Sequence, residues 1–145
     1  MADFVFNVAK GKAAEKVADA GTSLGILILR TAAIETDAVL KDKTTITDLL
    51  SGTTDEATNT GYARKTGLTG TVTVDQTNDR TDIDVADQTW TAVLAGDGWS
   101  KLVVFQDEAG TDGTRIPLTA HDFVVTPDGS DITAQIAAAG FYRAS

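Results

Sequence analysis

The stretch from Thr71 to Val85 decides the fold class. It runs Thr71-Val-Thr-Val-Asp75, then Gln76-Thr-Asn-Asp79, then Arg80-Thr-Asp-Ile-Asp-Val85. Apolar and polar residues alternate on both sides of a short polar segment, which predicts two strands joined by a tight turn. Threonine, valine and isoleucine suit a pleated surface with one face in solvent. We therefore predict a mostly β chain.

Further short strands are expected on both sides of this hairpin. Leu24 to Leu29 is continuously apolar, which favours a strand covered on both faces, with a buried helical segment as the alternative. Turn signals such as Asp112-Gly113 separate the later candidates. This spacing predicts an antiparallel β-sandwich or barrel. The later candidates are Leu68 to Asp75, Arg80 to Val85, Thr89 to Leu94, Lys101 to Phe105, Ile116 to Leu118, His121 to Val125, Ile132 to Ile136 and Phe141-Tyr142.

A helical region is expected between Thr36 and Gly52, with one short α-helix near residues 45–51. Thr45 followed by Asp48 resembles a capping box, although its usual acidic partner is glutamate or glutamine. Ile46, Leu49 and Leu50 share one helical face, and the glycine that follows is a common helix stop.

A chain of 145 residues is most simply one domain. We divide it into an N-terminal strand or arm over residues 1–20 and a single β-rich domain over residues 21–145. Phe4 and Phe6 alternate with smaller residues, which predicts a short first strand ending near Gly11. Lys12 to Ala20 is rich in alanine and is expected to be either a short helix or an irregular arm.

The charge balance limits the classes of partner. The net charge is −9 and the chain lacks cysteine, which removes disulfides and thiolate chemistry. Nucleic acids and anionic lipids are bound mainly through lysine and arginine, so we expect neither as a partner. The N-terminus lacks a signal-peptide pattern, and we expect no membrane span and no cofactor.

One histidine offers the sole candidate for a general base. His121 is followed by Asp122, and Ser100 and Ser130 are the nearest candidates for a nucleophile. Neither serine lies in a Gly-x-Ser-x-Gly motif, so we favour a structural histidine and expect no enzyme.

The acidic residues form two groups in the sequence. Neither group follows the alternating ligand pattern of a calcium loop, so solvated surface is favoured over a bound cation, and we expect no metal site. The first group is Asp75, Asp79, Asp82 and Asp84, and the second is Asp107, Glu108 and Asp112.

The two tryptophans have different expected roles. Trp90 begins a predicted strand and is expected to fill the core. Trp99 lies beside Gly96-Asp-Gly98, and we keep two interpretations open: a second core residue or an exposed contact for a partner or a sugar ring.

Several short strings resemble one protein family. Most of the chain from about Leu24 onward is similar to structural proteins encoded by tailed bacteriophages, with the shared segments in the same order. The resemblance is to head-associated proteins of the decoration or cement type. The strings are Tyr62-Ala-Arg-Lys-Thr66, Val74-Asp-Gln-Thr-Asn-Asp-Arg80, Asp87-Gln-Thr-Trp-Thr-Ala92, Ile116-Pro-Leu-Thr119, His121-Asp-Phe123, Pro127-Asp-Gly-Ser-Asp-Ile-Thr-Ala-Gln135 and Gly140-Phe-Tyr-Arg143.

The resemblance implies a virion structural protein that stabilises the outer surface of the capsid by binding the major capsid protein. It would be made in the host cytoplasm and would act as a homo-oligomer, for which a trimer is one option. The family carries no catalytic motif. The residues expected to contact partners are Phe4, Phe6, Tyr62, Arg64, Lys65 and Trp99. The alternatives are a tail-tube or head–tail connector component and a carbohydrate-binding β module for the host surface.

Overall fold

The computed structural model describes residues 3–6, 23–107 and 110–144, and the chain is 43% strand and 7% helix. The prediction of a mostly β fold is therefore confirmed. The strands are β1 (Phe4–Val5), β2 (Ser23–Arg30), β3 (Lys65–Asp75), β4 (Arg80–Val85), β5 (Gln88–Trp90), β6 (Trp99–Gln106), β7 (Ile116–Val125), β8 (Ile132–Ala134) and β9 (Tyr142–Ala144). The helices are α1 (Asp37–Leu40) and α2 (Ile46–Leu49).

Seven strands form one sheet in the order β1-β7-β6-β2-β3-β4-β9, and β5 pairs with β8 in a small separate ribbon. Each of these pairings is antiparallel. The large sheet is nearly closed into a barrel. Its two edges are β1 and β9, so the opening of the barrel lies between them.

The centre of the sheet is made by the two most apolar strands. Residues 24–29 of β2 are buried, and all eight residues of β6 are buried. The two strands pair in register over most of their length, with Ile26 opposite Val104. The interpretation of Leu24 to Leu29 as a strand covered on both faces is confirmed, because α1 and α2 add their buried leucines to the same core.

The β3–β4 hairpin has the predicted register. Gly70 lies opposite Val85, and Asp75 lies opposite Arg80. The carboxylate of Asp75 accepts hydrogen bonds from two amides of the turn, at 3.1 Å each. Asp79 occupies the left-handed region at φ 49°, which aspartate tolerates better than most residues.

The helical region contains two single-turn helices instead of the one predicted. In α2, the hydroxyl of Thr45 accepts from the amide of Asp48 at 3.1 Å, as the predicted cap requires. The carboxylate of Asp48 accepts from the amide of Thr44 at 2.9 Å, one residue earlier than in a standard capping box. The additional helix α1 forms because Leu40 is buried in the core.

Two of the predicted strand boundaries are wrong. The candidates Ile116 to Leu118 and His121 to Val125 form the single strand β7. Pro117 is tolerated within it because the ladder shifts register beside Phe105, the residue opposite. β5 ends at Trp90, four residues early, because the chain turns at Ala92 with φ 50°. The limits of the remaining predicted strands shift by up to three residues.

The first strand is shorter than the sequence suggested. β1 consists of Phe4 and Val5, which lie opposite Ala120 and Thr119 of β7. Residues 7–22, and with them most of the predicted arm over residues 1–20 and the Lys12 to Ala20 segment, lie outside the described residues. No helix in the described ranges is long and apolar enough to cross a bilayer.

Candidate partner-binding surface

A cleft of ≈ 380 Å³ opens between β7 and the segment that connects β8 to β9. Residues near both edges of the large sheet line it, so it marks the opening of the barrel. Its walls combine polar and apolar groups in nearly equal measure, and its ionisable side chains come from the β7 side. The lining residues are Asp3, Leu102, His121, Asp122, Phe123, Ala134, Gln135, Ile136, Ala137, Gly140 and Phe141.

The polar side of this cleft is organised around Asp3. Its carboxylate accepts a hydrogen bond from the amide of Asp122 at 2.8 Å and lies 3.3 Å from Nδ1 of His121. The backbone hydrogen bond, reinforced by the histidine, lowers the pKa of Asp3 below its usual value. The rim of the cleft therefore carries a negative charge at neutral pH.

The outer edge of β7 continues past the point where β1 ends. Among the described residues, β1 pairs with Thr119 and Ala120 alone, and the carboxylate of Asp3 covers the next outward amide, that of Asp122. Val124 follows two residues later, and its side chain is 79% exposed. The ladder between β6 and β7 shifts register between Asp122 and Val125, so Val124 lies in an irregular stretch of β7 beyond the end of β1.

A buried cation lies beneath this edge. Lys101 of β6 is 0% exposed, and its Nζ donates to Oδ1 of Asp122 at 2.5 Å. The same Nζ lies 3.4 Å from Oδ1 of Asp37 and 5.2 Å from the centroid of the Phe4 ring. From the sequence, Lys101 is predicted merely to start a strand. The available signal in the sequence was a lysine directly before the apolar run Leu102 to Phe105. Its partners, Asp37 and Asp122, are distant in the chain.

The predicted contact residues Phe4 and Phe6 lie in the core. Both are buried, and their rings pack edge to face with centroids 5.2 Å apart. Their side chains anchor β1 to the barrel, so they do not form an exposed surface of the folded chain.

Trp99 is also a core residue, which corrects its interpretation as an exposed contact. It is 0% exposed, and its indole Nε1 donates to Oδ1 of Asn59 at 3.0 Å. Its ring packs edge to face on Trp90 at 5.3 Å. The expectation that Trp90 fills the core is confirmed.

Tyr62 and Arg64 belong to an internal polar network. The hydroxyl of Tyr62 donates to Glu56 at 2.6 Å and accepts from the amide of Ile28 at 3.0 Å. Burial, together with the neighbouring carboxylate, raises the pKa of Tyr62. Arg64 pairs with Glu56 through two nitrogens and with Asp112 at 2.5 Å. These bonds satisfy both side chains within the molecule.

Lys65 is half-buried at the start of β3. Its Nζ donates to the carbonyl of Thr89 at 2.8 Å and lies 5.4 Å from the centroid of the Trp90 ring. Tyr62 and Trp99 touch at a ring distance of 5.5 Å. The six predicted contact residues thus lie in or against the core, and the structure does not assemble them into one exposed surface.

The candidate catalytic residues do not form a nucleophile–base pair. His121 Nε2 lies 2.9 Å from the hydroxyl of Thr119, which is 1% exposed and closed to a substrate. Ser100 is buried, and Ser130 donates to the carboxylate of Asp128 at 2.6 Å. Neither serine is hydrogen-bonded to the histidine.

Four residues of the two acidic groups pair with arginines: Asp75, Asp82, Asp107 and Asp112. In the hairpin, Asp82 accepts from Arg80 at 3.1 Å and from Arg143 at 2.7 Å. In the described part of the chain, no group of three or more histidine or acidic side chains is placed to hold a metal ion. Glu108 lies outside that part.

Comparisons with protein-family models, with curated proteins and with solved structures found no match to this chain.

Proposed function

We propose that the protein is a virion structural protein of a tailed bacteriophage that decorates the outer surface of the capsid shell. Its partner would be the major capsid protein, bound at many equivalent positions on the shell. The sequence resemblance supports this proposal, and so does the acidic charge of −9, which suits the outside of a shell better than contact with packaged DNA.

The observation that carries the proposal is the edge of β7 beside the cleft, which no described strand covers beyond Asp122. An exposed strand edge presents backbone donors and acceptors that a segment of another chain can pair with. Val124 gives this edge an exposed apolar side chain, and Asp3 places a negative charge beside it. The geometry suits an extended capsid segment that combines apolar and basic residues.

Such a contact is small, and its strength on a shell would come from repetition. A two- or three-residue strand addition gives a modest affinity when a single copy binds. If the protein self-associates, as the resemblance implies, simultaneous attachment at several symmetric sites raises the retained affinity by orders of magnitude. The open edge and the oligomeric state would then act together.

Binding to empty, expanded heads of the encoding phage tests this surface. Val124→Pro takes away the Val124 amide as a donor to an added strand, at a position where the ladder with β6 is already irregular and proline is tolerated best. We expect its affinity for heads to fall about tenfold, equivalent to about 1.4 kcal/mol. Val74→Ala removes another exposed apolar side chain, on β3, three strands away from β7 in the sheet, and is the matched control. Unchanged binding by a folded Val124→Pro variant would contradict the proposed surface.

Location on the particle tests the proposal as a whole. Immunogold labelling or cryo-electron microscopy of virions is expected to place the protein on the head lattice, in many copies. Labelling confined to the tail would instead support the tail-tube or connector alternative. Virions that lack the protein altogether would contradict both the capsid proposal and the tail alternative.

The carbohydrate-binding alternative gains no support from the structure. Sugar rings are usually bound by exposed aromatic side chains. All nine aromatic residues of the chain lie within the described ranges, and each is buried or partly buried. We therefore do not propose it.

A further inference from the structure

Lys101 and Asp122 form an ion pair between two strands. They lie directly opposite each other on the adjacent strands β6 and β7. Nζ of the lysine is 2.5 Å from the carboxylate Oδ1 of Asp122. A second carboxylate, that of Asp37, brings its buried Oδ1 to within 3.4 Å of the same nitrogen. A buried amine, a carboxyl group and a second carboxylate thus meet at one point.

Burial distinguishes this lysine from the others in the described ranges. Lys41, Lys43 and Lys65 are partly exposed, whereas Lys101 is 0% exposed. Lys43 also pairs with a carboxylate, that of Glu35 at 3.2 Å, but its side chain is 12% exposed whereas that of Lys101 is fully buried. The Phe4 ring covers Lys101 at 5.2 Å and limits access of water to its amine.

We propose that Lys101 and Asp122 condense spontaneously to form an intramolecular isopeptide bond between β6 and β7. A proton first passes from the ammonium to the Asp122 carboxylate, giving an amine and a carboxylic acid. Nζ then attacks Cγ of Asp122, the new C–N bond forms, and the C–OH bond breaks. The hydroxyl group leaves as water. The reaction is a condensation, so it requires no oxidant, reductant or further reactant.

The surroundings favour each stage of this condensation. Lys101 is 0% exposed, so little water competes for contact with its Nζ. Fixed neighbours on two strands react with an effective concentration far above that of free groups. Asp37 is positioned to accept the proton from the attacking nitrogen and return it to the departing hydroxyl.

A path for the released water is also present. Lys101 itself does not line the cleft, whereas Asp122 does, and the Asp122 side chain is 28% exposed. Water formed at Cγ therefore has an open route to solvent. The finished amide would link β6 covalently to β7 at Asp122, two residues before the exposed Val124. This would hold the edge of β7 in place under load, whether or not the protein binds a capsid.

Intact-mass spectrometry of the folded, full-length protein tests the proposal. We expect the protein to be lighter than its sequence requires by the mass of one water molecule. After denaturation and digestion, trypsin should fail to cleave after Lys101, and peptide 81–115 should remain joined to peptide 116–143. A wild-type mass that stays at the sequence value after prolonged incubation of the folded protein would overturn the proposal and leave an ion pair.

Variants assign the roles of the residues. Lys101→Arg keeps the positive charge but lacks the reactive amine, so it should retain the full mass. Asp37→Asn keeps the Lys101–Asp122 pair and should slow the condensation by about 100-fold. Lys43→Arg is the matched control at a second lysine–carboxylate pair, and this variant should lose water as the wild type does. Water loss that persists in Lys101→Arg would place the modification elsewhere and contradict the assignment.

Discussion

Strand β6 and the β3–β4 hairpin belong to the same sheet, but the exposure of the hairpin residues can be predicted from their own sequence, whereas the burial of Lys101 in β6 cannot. Every residue of β6 is buried, including Lys101, whereas β3 alternates between half-buried and exposed positions. The hairpin follows from its own sequence because alternation is a local property. The burial of Lys101 depends on Asp37 and Asp122, which are brought to it by other parts of the fold.

Removing the largest side chain of β6 should have the largest effect. Trp99→Ala deletes a fully buried ring that contacts Trp90 and leaves Asn59 without its indole donor. We expect the free energy of unfolding in urea to fall by about 3–5 kcal/mol. Trp99→Phe keeps most of the packing and should cost less. A loss below about 1 kcal/mol for the alanine variant would show that this end of β6 is not packed as described.

Adding one methyl group between β2 and β6 should have the next largest effect. The Cβ of Gly25→Ala would lie 2.1 Å from Cζ of Phe105. The Phe105 ring is 0% exposed and lies 5.8 and 5.4 Å from the guanidinium groups of Arg64 and Arg115, so it has little room to move. We expect a loss of about 1–3 kcal/mol in chemical denaturation.

Gly113→Ala is the control for that substitution. The nearest atom to its added Cβ would be the Thr47 hydroxyl oxygen at 4.0 Å, which is ordinary contact. We expect a change within about 0.5 kcal/mol. If both glycine variants are equally stable, the Phe105 ring must be free to shift, and the central sheet is less tightly packed than the distances indicate.

The fold was predictable where short-range patterns decide the structure. The limits of β4, the buried run of β2 and the Thr45 cap all follow from neighbouring residues. The single strand β7 was missed because Thr119 and Ala120 were left out of both candidates, and only the pairing of these two residues with β1 and β6 joins them into one strand.

The candidate surface was harder to predict because its residues come from separate segments. Asp3, His121 and Phe141 meet only after the sheet curls towards closure. Phe4, Phe6 and Trp99 were taken as contacts because large aromatic residues are common at interfaces. The same residues are common in cores, and a single sequence does not separate the two cases. Only the packing of the folded chain shows that these three residues are buried.

A smaller effect should appear as a change in pH dependence. Burial opposes ionisation of Asp112, but hydrogen bonds from Arg64 and Arg115 lower its pKa overall from the ordinary 3.8. A carboxyl group whose pKa is lower in the folded than in the unfolded state stabilises the protein at pH values above its unfolded-state pKa. This stability is lost as the pH falls through the folded-state pKa. Asp112→Asn should therefore lose less stability than the wild type between about pH 5 and pH 3.

The hairpin supplies the control for this pH measurement. Asp79 lies in the β3–β4 turn and makes no ion pair among the described residues, and asparagine accepts its left-handed backbone. Asp79→Asn should leave the slope of unfolding free energy against pH unchanged. Parallel curves for the wild type and Asp112→Asn would contradict a stabilising role for the Arg64–Asp112–Arg115 contacts.

The smallest effect should come from the exposed face of the hairpin. Val74 of β3 is 65% exposed, and Val74→Ala should change the free energy of unfolding by no more than about 0.5 kcal/mol. The same substitution in β6, Val103→Ala, removes two fully buried methyl groups and should cost about 2 kcal/mol. Because the chemical change is identical and both sites are strands, the difference measures burial. Equal losses would mean that Val74 is covered in solution, for example by a second copy of the chain.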